Sequence, residues 1–162
     1  ISKDLKLLTG QNTPKVDGSL LFLKFKQNKE SGDINPGKVM TEEMWDLCCE
    51  FGRQGSGPGE FSGAWGIAAR QPDEIAVTDC SIQRVTICSI DGKHKSTIPV
   101  QGNPYGIAAT RTSNCLVVVF DGATDVKVFN KDNTLAFQFP TVPPSEVGKT
   151  EVDLRSVAVK KD

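Results

Sequence analysis

The chain contains part of itself twice. Gly66-Ile67-Ala68-Ala69 returns unchanged as Gly106-Ile107-Ala108-Ala109, 40 residues on. Val85-Thr86-Ile87-Cys88 returns as Val126-Lys127-Val128-Phe129, and Ile98-Pro99 as Phe139-Pro140, each 41 residues on. Asp91-Gly92 returns as Asp132-Asn133 at the same interval. Gly and Asn are the residues that enter left-handed backbone at least cost, so both pairs read as hairpin turns. A third start, Ser156-Val157-Ala158-Val159, stands 50 residues after Gly106, displaced by extra residues around 143–153. A repeated unit of this size cannot bury its own faces and must stack on its copies.

Within the first unit a Gly-rich loop (Gly52, Gly55, Gly57, Pro58, Gly59) precedes four short apolar runs at about 65–69, 74–78, 84–89 and 96–100. The second unit places its runs at about 105–109, 115–119, 126–129 and 135–139. Four strands in a period of about 40–45 residues is the signature of a β-propeller blade. The phrase FGRQGSGPGEF, followed by WGIAA, IAVTD, QRVTI and a closing IDGK, resembles the NHL repeat over residues 51–139. Ile82-Gln83 stands where the family's name-giving Asn and His precede Arg-Val.

The fold expected is therefore all-β: an incomplete β-propeller of two four-stranded NHL-like blades plus the start of a third. Blade 1 covers about 62–100, blade 2 about 103–140, and the third start about 154–162. Small inner-strand residues (Gly66, Ala68, Gly106, Ala108) suit crowding near a propeller axis. Two blades and a fragment do not close a ring, so an apolar face without a neighbour is expected at each end of the array.

Residues 1–43 read as an upstream linker with one strand, in 19–26, where Leu21, Leu23 and Phe25 alternate with Leu20, Phe22 and Lys24. Residues 1–16 carry too little pattern to assign an element, the tail of a preceding helix being one reading, and 27–37 read as loop. In MWDLCCEF, Trp45, Leu47, Cys49 and Phe51 fall on one face at period 2. A strand is expected there, in the place from which an N-terminal segment closes the last blade.

Nineteen basic residues against 20 acidic give no general electrostatic attraction for nucleic acid. No run of about 18 apolar residues is present, so no membrane partner is expected. Five cysteines (Cys48, Cys49, Cys80, Cys88, Cys115) lack CxxC spacing and read as reduced thiols, which points to the cytoplasm.

Five residues are candidates for partner binding. Arg70, Arg84 and Arg111 would form a basic patch, Arg70 and Arg111 lying just past the inner strands of the two blades. Trp65 and Tyr105 hold corresponding positions and would be aromatic anchors, against the plainer reading that they close blade ends. Asp79 and Asp121 follow the second strands, in VTD and VFD. The favoured reading for them is bonding to nearby backbone N–H groups rather than a carboxylate ring. His94 has no partner recognisable by spacing, so no catalytic group, cofactor or metal site is assigned to this segment.

The resemblance implies more. NHL repeats after a linker are similar to the C-terminal region of tripartite-motif proteins, which carry a RING finger, B-box and coiled coil upstream. On that reading the segment recruits a protein substrate for a ubiquitin ligase whose zinc sites, and any oligomerisation through the coiled coil, lie outside it. An RNA-binding propeller, or an enzyme whose divalent-metal site is completed by further blades, are the alternatives.

Overall fold

The computed structural model describes residues 4–8, 21–26, 46–70, 72–121, 125–146 and 154–160. Its regular elements are all strands: β1 (Asp4–Leu8), β2 (Leu21–Lys26), β3 (Asp46–Phe51), β4 (Ala64–Arg70), β5 (Glu74–Asp79), β6 (Arg84–Ser89), β7 (His94–Pro99), β8 (Pro104–Ala109), β9 (Leu116–Phe120), β10 (Asp125–Phe129) and β11 (Leu135–Pro140). They form two four-stranded antiparallel sheets, β4-β5-β6-β7 and β8-β9-β10-β11, and a three-stranded sheet β1-β2-β3. Among the described residues there is no helix, and so none long and apolar enough to cross a membrane.

The eight strands expected of the two repeats are present within a residue or two of their expected bounds, because alternation and turn chemistry agree at every step. The β6–β7 and β10–β11 turns are equivalents. In each, one residue at positive φ (Gly92 at 85°, Asn133 at 70°) donates its N–H to the carbonyl three residues back, Ser89 or Asn130. The ladder shifts register beside both turns.

The N-terminal region departs from expectation. Residues 4–8, where the pattern alone assigns no element, form β1, because β2 supplies an antiparallel partner with Leu5 opposite Phe25 and Leu7 opposite Leu23. The strand expected at residues 44–51 exists as β3, yet it pairs with β2 rather than closing a distant blade. The loop expected at 27–37 lies outside the described residues.

The two four-stranded sheets pack face to face. Ala68, Ala76, Val85, Ile87 and Ile98 of the β4–β7 sheet join Ile107, Leu116, Val118, Phe120 and Phe129 of the β8–β11 sheet in one buried cluster. Gly66 lets the inner strands approach: a Cβ there would lie 2.4 Å from the Tyr105 carbonyl oxygen. The opposite face of the β4–β7 sheet, expected to be open, is closed. Ile75, Val77 and Cys88 are buried beneath Phe61, which is fully buried, with Phe51 packed beside them. The chain turns back through the Gly-rich loop and delivers an aromatic plug to that face.

Three sets of polar contacts hold the plug. Asp79, itself buried, accepts the Ser62 N–H at 2.9 Å and the Gly63 N–H at 2.8 Å. Arg84 donates to the carbonyls of Ser56 (2.8 Å), Gly57 (3.2 Å) and Glu60 (2.7 Å). Glu60 accepts the Gly57 N–H at 2.8 Å and Arg53 Nε at 2.7 Å. Those two donors, Gly57 first, hold the Glu60 carboxyl below its ordinary range.

Candidate functional site

The inner strands begin with the same irregularity in both sheets. Ala64 pairs with Asp79, and the next pair is Ile67 with Val77; Pro104 pairs with Phe120, and the next is Ile107 with Val118. Trp65-Gly66 and Tyr105-Gly106 are thus set out of the ladder, and a bulge re-aims the side chains it carries. Trp65 and Tyr105 meet edge to face, ring centroids 4.7 Å apart at 74°. Trp65 remains 41% exposed and Tyr105 half-buried.

Thr78 fixes the spacing beneath them. Its hydroxyl accepts the Gly66 N–H at 2.8 Å and donates to the Tyr105 carbonyl at 2.8 Å, joining one sheet to the next. Arg155 extends the row, its guanidinium 5.8 Å from the Tyr105 ring centroid. The third-repeat alignment puts Arg155 at the position of Trp65 and Tyr105, so three successive copies supply Trp, Tyr and Arg to one line. Edge-to-face rings and a cation near a ring face are attractive geometries with apolar surface left to contact a partner.

The arginines separate. Arg84 lies at this same end, half-buried, but its guanidinium is occupied by the loop carbonyls. Arg70 is at the opposite end of β4 and only 3% exposed. It donates to Asn133 Oδ1 at 2.8 Å and to the Lys131 carbonyl, and its Nε is 3.7 Å from Glu74 Oε2. Arg111 is exposed in the β8–β9 turn, also at that far end. The expected basic patch is therefore not assembled. Arg70 is drawn inward because the β10–β11 turn presents a carbonyl and an amide oxygen where an exposed rim was expected.

Asp79 bonds backbone N–H groups as favoured, whereas Asp121 is exposed and its own N–H donates to the Asn103 carbonyl at 3.0 Å. His94 Nε2 lies 2.9 Å from Thr97 Oγ1. Burial pushes the Cys88 thiol up to about 11, which keeps it protonated at neutral pH. Among the described residues no group of three or more His, Cys, Asp or Glu side chains gathers at metal-binding distance.

Sequence reasoning singled out Trp65 and Tyr105, which meet in the structure, and did not single out Arg155, Thr78 or Phe61. The 50-residue interval held the signal for Arg155. Nothing local marks Thr78 or Phe61, whose roles depend on the neighbouring sheet and on the returning loop.

Neither a family profile nor a characterised protein matches the chain by sequence. Among solved structures, that described as "Structure of U3-55K" superposes with a TM-score of 0.53 at 19% identity, covering 84% of this chain and 42% of that one. At that identity the likeness carries the fold alone. The fold is propeller-like.

Proposed function

We propose that the chain is a protein-binding, NHL-like propeller module whose contact surface is the row Trp65, Tyr105 and Arg155. The observation that carries this reading is the convergence of equivalent positions from successive repeats on one exposed line. An aromatic pair of this kind supplies rigid apolar contact at low entropic cost, the character of interface anchors. The bulges and the Thr78 tie hold the row in place without a ligand, which favours recognition of a preformed partner surface.

The wider reading follows from the sequence resemblance: a substrate-recruiting segment of a tripartite-motif-like ubiquitin ligase, with its ligase chemistry elsewhere in the polypeptide. Of the three arginines named for an RNA contact, Arg111 alone is exposed, since Arg70 is buried and Arg84 is half-buried and occupied.

The test is in-cell crosslinking of the natural polypeptide, comparing wild type with the Trp65→Ala/Tyr105→Ala double variant after checking that Tm is retained. Loss of specific protein crosslinks supports the reading. An unchanged protein set, or crosslinks to RNA that survive the double variant, overturns it.

A further inference from the structure

The Gly-rich loop that delivers the plug carries a serine at its outer surface. Ser56 is exposed, and among the described residues its hydroxyl makes no hydrogen bond, although its carbonyl accepts Arg84. Other exposed hydroxyls are tied within their own turns: Thr97 to His94, Ser113 to Thr110 and Thr134 to Asp132. Glycines stand on either side of Ser56, so no neighbouring side chain screens it. Arg53 lies three residues before it with its side chain 81% exposed. A bare hydroxyl with an arginine three residues upstream has the form that arginine-directed protein kinases accept. The enzyme's acidic cleft takes the guanidinium and leaves the hydroxyl at the γ-phosphate of ATP.

Beneath Ser56 lies a carboxylate. A Cβ at Gly57 would be 2.9 Å from Glu60 Oε2, and one at Gly55 would be nearer still. Ser56, between the two glycines, is therefore carried beside Glu60, whose partners are the Gly57 N–H and Arg53 Nε. The same residues are joined to the plug through the main chain. The Phe61 N–H donates to the Arg53 carbonyl at 2.8 Å, and the Gly55 N–H donates to the Phe61 carbonyl at 3.2 Å.

We propose that Ser56 is a phosphorylation site and that its phosphate loosens the Phe61 plug. In the transfer, Ser56 Oγ attacks the γ-phosphorus of ATP held by the kinase. The Oγ–P bond forms, the bond from phosphorus to the β–γ bridging oxygen breaks, the hydroxyl proton passes to the kinase's catalytic carboxylate, and ADP leaves. The product adds about −1.5 to −2 charges at neutral pH beside the Glu60 carboxylate. Arg53 is drawn to the phosphate, which offers more charge and more acceptor oxygens. Glu60 then loses its cation and is repelled by its new neighbour, so the loop opens ahead of the strands it covers. The inference is independent of the Trp65 row.

The test incubates the 162-residue chain with MgATP and a serine/threonine kinase selected for arginine three residues before the acceptor, with a peptide of residues 50–61 alongside. Fragment masses should place one phosphate on Ser56, absent from Ser56→Ala and several-fold slower to appear in Arg53→Gln. Hydrogen exchange at 53–61 should rise several-fold in the phosphorylated chain while the β8–β11 sheet is unchanged. Glutamine still offers an acceptor to the Gly57 N–H, so Glu60→Gln should hold the unmodified loop and lose most of the rise. A peptide that is not phosphorylated, or one that is while the folded chain stays bare at Ser56, overturns the proposal. So does exchange that is unchanged or slowed after phosphorylation, or a rise that persists in Glu60→Gln. Each of these leaves the Trp65 crosslinking result intact, so the two readings fail separately.

Discussion

The β4–β7 and β8–β11 sheets are built from one repeat, yet the first is covered on both faces, whereas the face that the second turns away from the first is buried at Val126 and Val128 and bare at Phe137 and Phe139. The difference does not lie in the strands, whose order, bulges and turns correspond. It lies in what flanks them: the β4–β7 sheet has a plug from the Gly-rich loop behind it and a sister sheet in front. Identical secondary structure should therefore carry unequal stability, with the flanking segments setting which sheet is the harder to open.

That contrast can be broken most severely at the plug. Phe61→Ala should destabilise by about 3–5 kcal/mol, the range for emptying an aromatic site in a core, measured by urea unfolding. Arg84→Ala should cost about 2–3 kcal/mol, since three loop carbonyls lose a charged donor. It should also raise hydrogen exchange at 53–61 ahead of the strands. If exchange rises evenly across both sheets, the plug is not a separate unit.

Smaller changes sharpen the comparison. Thr78→Val should cost about 1–2 kcal/mol by leaving the Gly66 N–H without its acceptor. The equivalent residue of the second repeat is already Val119, buried beside Gly106. Phe139→Ala should fall within about 0.5 kcal/mol in this chain, as exposed positions do, whereas Ile98→Ala at the equivalent covered site should cost about 2–5 kcal/mol. A large Phe139 effect would mean that the outer strand β11 is covered after all.

The smallest effect is acid loosening of the loop. Because Glu60 is held below its ordinary value of 4.5, the folded chain favours the ionised carboxylate. Its contribution is complete above the unfolded value and is lost as pH falls through the lower folded one. The Gly57 amide shift should report this titration with a midpoint below 4.5. A midpoint at or above that value would detach Glu60 from the loop.

The strands of the repeats were legible because period, turn residues and apolar alternation all pointed one way. The left-handed turn at Asn133 was legible for the same reason, as the substitute for Gly92. Arg70 was misread because an arginine just past a strand gives no local sign that a turn 61 residues on will accept from it. The plug was missed on similar grounds: Phe61 ends a glycine loop, and only the return of that loop over β5 and β6 reveals it as core. The bulges left a trace in Gly66 and Gly106, read correctly as close approach but not as the device that exposes Trp65.

Of the ties between the two sheets, those made to main-chain carbonyls run in one chemical direction, whereas Asn133 Nδ2 donates back to Ser96 Oγ at 3.0 Å. Thr78 and Arg70 donate from the first repeat, and their acceptors in the second include the main-chain carbonyls of Tyr105 and Lys131. Every amino acid carries such a carbonyl, so these bonds demand a particular side chain on one side only. Substitution should accordingly be tolerated unevenly: the recipient positions can vary in identity while the joint persists, and the donor positions cannot.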